Sequence, residues 1–392
     1  MSLLSNLLDP PERNPAACLI ELGEERANPG ALNALIKSVE IITSRKDAAA
    51  ATIIFEDRRT EDGTYMVADS GLFARWQPIR LFADFMTHKD EILRGYITGI
   101  KPNFPASGGE VTLELTVLDE SALLDRDHLR RVWGADSEMS DLMILGELLS
   151  DSDISPDPDC GDGQTARSLS QDGTALSFLR SRADANGYEM LFFPGSVYFG
   201  PTRLEGEAQA PIMVYAGRAT NCLSFGVEDN GLQPDAVSYE VAPQDTGATS
   251  DAETVTSDLT PLGATAAGEE GAGLATPYVA RVSREGDEPA EVTRQRALAM
   301  ANEAAFKLRA TGELDGALYG HVLRPGFLVP VDGTGARYGG LYYTDKVTHS
   351  FTEAGYRQQF ELMRNATGED GGPAAALAGP LKQGLSALSG LL

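Results

Sequence analysis

At 392 residues the chain exceeds what one ordinary hydrophobic core organises, so two or three domains are expected. Its 58 acidic against 32 basic residues give a formal charge of −26, which repels phosphate backbones and argues against stable nucleic-acid binding. No apolar run of about twenty residues is present to span a bilayer as a helix, and Cys18, Cys160 and Cys222 are too scattered for a zinc site or a disulfide framework.

Residues 1–14 read as an N-terminal arm, because Pro10, Pro11 and Pro15 interrupt regular structure. No basic residue precedes its short apolar stretch, so no secretory signal is expected and the chain is expected to be made in the cytoplasm. Strand-like segments follow at 17–21, 35–43, 51–56, 78–85, 91–100 and 110–118. In the last of these, Val111, Leu113, Leu115 and Val117 alternate with Thr112, Glu114 and Thr116, the period of a half-buried strand. Asp62-Gly63 and Gly108-Gly109 supply turns. Residues 15–120 are therefore expected to form one antiparallel β domain.

The pattern changes near Asp119. Leu123, Leu124 and Leu129, then Leu142, Leu145, Leu148 and Leu149, recur at helical spacing, with Ser140-Asp141 as the cap of the second segment. Residues 151–163 are acidic and rich in Pro and Gly, as a loop is. The run from Gln171 to Gly187 reads as a helix with Ala175, Leu176, Leu179 and Ala183 on one face and Asn186-Gly187 as its stop. Strands at 188–193 and 196–199 meet across Pro194-Gly195, which completes a small α+β insert over residues 121–205. Strand patterns return at 212–215, 222–227 and 236–241. Residues 243–276 are too poor in large apolar side chains to order themselves and read as a flexible acidic loop. A helix is expected over 291–311. Strands at 314–319, 327–331, 340–350 and 356–364 close a second β domain over 206–366. Residues 367–392 form a tail, in which Leu377, Leu381, Leu385, Leu388, Leu391 and Leu392 could line an amphipathic face.

Chemistry-bearing residues do not converge. His88, His128, His321 and His349 lack metal-ligand spacing, and His349 sits in a strand pattern that favours packing or an interface over catalysis. Asp151, Asp153, Asp157, Asp159 and Asp162 lack the ligand order and closing Glu of a calcium loop. Glu24-Glu25 and Asp151 with Asp153 are the carboxylate pairs that a glycosidase-like reading would use, but among 58 acids chance proximity explains them. Gly268–Gly273 lacks the Lys of a phosphate loop. Arg180, Arg182 and Arg364 read as salt-bridge or interface residues. No catalytic, cofactor-binding or metal residues are assigned, no cofactor is expected, and the chain is not expected to be an enzyme.

Three strings carry a family resemblance. Gln171 leads into Thr174-Ala-Leu-Ser-Phe-Leu-Arg-Ser-Arg-Ala183 and Asn186-Gly-Tyr188, ending in Val197-Tyr-Phe-Gly200. Leu323-Arg-Pro-Gly326 leads to Val329-Pro-Val-Asp332 and then to Gly340-Leu-Tyr-Tyr-Thr-Asp-Lys-Val-Thr-His349. The third is Tyr356-Arg-Gln-Gln-Phe-Glu-Leu-Met-Arg-Asn365. In their order and spacing, over most of residues 15–366, these resemble the phage late-control protein D family, the baseplate hubs of contractile tails and the hub part of valine-glycine-repeat spike proteins. The resemblance implies a mainly β chain with two tail-tube-like β-barrel domains and a small α+β insert. It implies a non-catalytic homotrimer joining a hexameric tube, or tube initiator, to a trimeric spike among other baseplate proteins. It also implies assembly into a virion tail baseplate or an injection-system particle. Unlike spike-fused members, the chain is expected to carry no long β-helical or oligosaccharide-binding-fold extension after residue 366, so a spike is expected to be a separate protein. The competing expectation is a tail-associated peptidoglycan hydrolase.

Overall fold

The computed structural model describes residues 14–106, 109–166, 168–241, 252–269, 276–284 and 290–368. The N-terminal arm up to residue 13, Gly108, Arg167, parts of the expected acidic loop and the tail beyond 368 lie outside the described residues.

The first β unit contains β1 (Ala17–Leu22), β2 (Ile36–Ser44), β3 (Ala50–Asp57), β4 (Pro78–Asp84), β5 (Lys89–Asn103) and β6 (Val111–Asp119). Period-two alternation folds these strands around one core: Ile53 and Phe55 of β3 and Leu113, Leu115 and Val117 of β6 are buried, and Thr52, Glu114 and Thr116 face out. Burying each such apolar side chain is worth about 1.5–3 kcal/mol.

The insert carries β7 (His128–Trp133), α1 (Asp141–Leu149), β8 (Leu169–Thr174), α2 (Ala175–Asn186), β9 (Glu189–Phe193) and β10 (Ser196–Gly200). Ser140 caps α1 by accepting from the Met143 N–H. Two expectations are corrected. The helical reading of Leu123–Leu129 gives way to a 3₁₀ turn, Glu120–Asp125, followed by β7, which pairs with β8. Gln171–Thr174 is the end of β8, and the helix begins at Ala175, where the Thr174 hydroxyl accepts from the Ser177 N–H. Gly187 ends α2 at φ +65°, and a Cβ there would lie 3.0 Å from Ala299. Glycine is thus required for the left-handed stop and for the close approach of the next helix.

The second β unit contains β11 (Ile212–Met213), β12 (Cys222–Asp229), then a side sheet of β13 (Ala236–Glu240), β14 (Ala252–Val255) and β15 (Val279–Val282) under α3 (Ala290–Ala305). It ends with β16 (Leu308–Asp315), α4 (Gly316–Tyr319), β17 (Leu328–Asp332), β18 (Gly340–Thr352) and β19 (Gly355–Arg364). The expected loop 243–276 contains a strand, since β14 pairs with β13. The helix expected to reach Thr311 stops at Ala305, and Leu308 is fully buried in β16. Its apolar spacing continued through the junction, but strand pairing to β19 and β12 takes over after Phe306.

The chain is mainly β, as expected. Both β units share one twelve-stranded sheet in which β1-β4-β5-β6-β3-β2 continues directly into β18-β19-β16-β12, with β17 attached to β18 and β11 to β17. The strand order repeats. With the side sheet set apart, each unit arranges its strands as first, fourth, fifth, sixth, third, second: β1-β4-β5-β6-β3-β2, then β11-β17-β18-β19-β16-β12. Two of the irregularities repeat, although the first strand runs antiparallel to the fourth in one unit and parallel to it in the other, and the shift at Leu81/Phe82 has no counterpart. The second strand has a register shift at Ile36/Ser38 and at Cys222/Ser224, and the fifth at Ile97/Gly99 and Thr344/Lys346.

Candidate functional site

The seam between the units is a strand pair, β2 against β18, running from Val39 opposite Phe351 to Ser44 opposite Lys346. Across it the sheet has two unlike faces. The solvent-facing row runs Gly99, Thr116, Thr52, Glu40, Ser350, Arg357 and Asp315, one residue from each of seven strands. The opposite row runs Val117, Ala51, Ile41, His349, Gln358 and Leu314, all buried. Both units therefore present one continuous hydroxyl-rich and charged surface. Much of its charge is balanced by cross-strand pairs, Lys101 with Glu114, Lys346 with Glu361 and Arg357 with Asp315.

The seam is locked at the β18 bulge. Asp345 accepts from Arg45 Nε at 3.0 Å and from Arg309 at 3.0 Å, while the Arg45 N–H donates to the Asp345 carbonyl at 2.9 Å. The same Arg45 guanidinium reaches Glu189 of the insert at 2.8 Å and Glu303 of α3 at 2.8 Å. One side chain, 7 % exposed, thus joins both β units, the insert and α3. Burial opposes its charge, but the three carboxylates outweigh that and raise its pKa. For Glu303, burial favours the neutral acid, yet Arg45 and Lys46 hold its pKa at about 2. The Tyr343 hydroxyl donates to Glu189 at 2.6 Å.

The insert is wedged at the same junction. The Gly195 N–H at its hairpin tip donates to Glu120 at 2.7 Å, Arg126 lies 4.4 Å over the Trp76 ring, and Phe193 packs on Phe327. Arg203 stacks between Tyr198 and Phe327.

The residues singled out in the sequence are placed as follows. His349 is fully buried in the apolar row, with Nδ1 2.8 Å from the Tyr356 hydroxyl and Nε2 without a protein hydrogen bond. Burial, with Arg324 adding to it, lowers its pKa to about 3. Its neighbour Gln358 holds the next loop, accepting from the Leu323 N–H and donating to the His321 carbonyl. Arg182 bridges the helices through both oxygens of the buried Asp141. Arg364 is fully buried and donates to the carbonyls of Leu262, Gly339 and Gly368. Arg180 is exposed on α2. His88 and His321 approach each other, ring to ring at 5.8 Å, while His128 pairs with Asp172. Among the described residues, no three or more His, Cys, Asp or Glu are grouped to hold a metal ion. Sequence reasoning missed Arg45 and Asp345. The signal for Asp345 is a charged residue inside an otherwise alternating strand, which marks a bulge.

Acid titration tests the placement of His349. The folded state keeps the imidazole neutral down to about pH 3, whereas in the unfolded chain it takes a proton near pH 6.5. The unfolded state therefore binds more protons as pH falls through this window, and stability drops by roughly 3 kcal/mol between pH 6.5 and 4. Denaturant unfolding across that range is expected to lose this component in His349→Gln. An unchanged pH slope in the variant contradicts the assignment.

No family model matches the sequence, and no curated protein matches it either. Solved structures do. The chain is similar to the prophage MuSo2 43 kDa tail protein from Shewanella oneidensis, with a TM-score of 0.66 at 13% identity over 90% of this chain and 99% of that one. The tail protein from Neisseria meningitidis MC58 gives a TM-score of 0.63 at 10% identity over 90% and 97%. The chain has the fold of these tail proteins. An E. coli component of the type VI secretion system, described as structurally similar to the T4 bacteriophage tail proteins gp27 and gp5, shares the tail-protein fold more distantly. Its TM-score is 0.51 at 14% identity over 86% of this chain and 76% of that one.

Proposed function

We propose that the chain is the structural hub of a baseplate, in a contractile phage tail or a phage-tail-like injection system. In this reading it forms a homotrimeric ring that joins a hexameric tube to a trimeric spike, with 15–120 and 206–366 as the two tube-like domains and 121–205 as the insert. The observation that carries the reading is the repeated strand order within one chain. Three chains with two equivalent units each present six units to a sixfold tube while remaining threefold towards a spike. The likeness to tail proteins supports it, as does the polar row crossing seven strands, which suits the wall of a conduit. The role is mechanical and needs no catalysis. The test is co-purification with a tail-tube protein and a spike protein co-expressed with it. A ternary particle with three copies of this chain is expected; a chain that binds neither, or that clears purified cell wall by itself, refutes the reading.

A further inference from the structure

The internal seam is a template for a contact between copies. In the second unit, the fifth strand, β18, pairs with the fourth strand only up to its bulge; beyond the bulge that side is covered by β2, the second strand of the first unit. In the first unit, the fifth strand, β5, likewise pairs with β4 only through Tyr96, and its bulge follows at Ile97/Gly99. Beyond that bulge, residues 99–103 pair only with β6. At the other end of the sheet β12, the second strand of the second unit, pairs only with β16. Each unit therefore has the same donor strand and the same acceptor edge, and the internal seam uses one of each. The remaining pair has no strand partner among the described residues.

We infer that β12 of one copy pairs antiparallel with residues 99–104 of a second copy, in the register of the internal seam. This rests on the hub reading and names the surface through which it would assemble. The shared bulges fix the alignment: Ser224 stands where Ser38 does and Gly99 where Lys346 does. Ile42 opposite Thr348 then becomes Glu228 opposite Lys101, and Val39 opposite Phe351 becomes Phe225 opposite Phe104. The chemistry of this register fits, although nothing in its derivation required it. A glutamate meets a lysine whose side chain is 73 % exposed, and Phe104, 52 % exposed, meets a phenylalanine. Pro102, which has no N–H, sits in the place of His349, so this ladder has one donor fewer than the internal one. A proline there also blocks indiscriminate strand addition on an open edge.

The experiment uses the full chain carrying Lys101→Cys and Glu228→Cys, with light scattering to report assembly before oxidation. Directly opposed strand residues place Cα atoms within disulfide range. Mild oxidation is expected to give reducible bands at two and three chain masses in the double variant and in neither single variant. As a second arm, Glu228→Lys is expected to weaken association fivefold to tenfold without moving the melting temperature of the separated chain, and adding Lys101→Glu, which also gives up the in-chain pair with Glu114, to restore association. An intact assembly that does not cross-link here, or that cross-links only through a shifted pair such as Lys101→Cys with Gly226→Cys, overturns this pairing and leaves the hub reading standing. A chain that stays monomeric, alone and with its tube protein, overturns both.

Discussion

Arg45→Met is expected to destabilise the fold by about 3–5 kcal/mol, because it strips a buried cation from carboxylates that remain in place. Glu189 is 5 % exposed and, among the described residues, keeps hydroxyl donors from Tyr343 and Thr202. Asp345 keeps Arg309, and Glu303 keeps Lys46 and Arg309. The damage is therefore centred on Glu189, where the insert meets the seam. Denaturant unfolding measures the loss. The acid limb of the same experiment gives a second readout. Glu303 is held at about pKa 2, so the wild type loses that contribution as pH falls from about 4.5 towards 2. With Arg45 gone its pKa rises towards the ordinary range and this acid-dependent loss shrinks. A variant as stable as the wild type with an unchanged acid limb refutes the lock.

The second large effect is expected at Gly95. A Cβ built there lies 1.9 Å from the Leu118 carbonyl oxygen and 2.7 Å from the Asp119 Cα, both backbone atoms of the neighbouring strand. No side-chain rotation relieves such a contact, so Gly95→Ala must separate β5 from β6 where Asp119 closes the first unit. Asp119 accepts there from the Ala49 N–H at 2.6 Å and from the Ser121 N–H at 3.0 Å, and both bonds are put at risk. The expected cost is about 3 kcal/mol or more. Because β5 also carries the free edge beyond its bulge, assembly should weaken further than stability alone explains. Thermal unfolding of the alanine variant within 1 °C of the wild type, which is below the shift expected from about 1 kcal/mol, contradicts the geometry.

Most strands of both β units were legible because their apolar residues alternate, as Leu113, Leu115 and Val117 do, but the strand expected at 314–319 is the helix α4 after its first two residues, which end β16. Helices α1 and α2 were legible from caps at Ser140 and Gly187. What stayed hidden depended on pairing between distant segments. β7 has exposed Arg130, Arg131 and Val132 and exists as a strand through β8, forty residues away in the chain, so its own composition gave no period to read. Leu308 extended the helical spacing of α3, yet belongs to β16 because β19 and β12 flank it. The seam could not be read at all: Arg45 and Asp345 are three hundred residues apart and meet only after both units have folded. His349 was read as a packing or interface residue, and it is fully buried. The duplication was suggested in the sequence only by two blocks of similar size, whereas the structure adds a shared strand order and two shared bulges that leave no trace in residue identity.

In the proposed hub, one chain supplies two like-ordered units to a closed ring. The most direct measurement is the rotational symmetry of end-on particle images of the purified assembly, together with its mass. Three chains of 41.8 kDa, with a sixfold inner wall inside a threefold outline, are the predicted result. A ring whose inner wall shows only as many repeats as it has chains would contradict it.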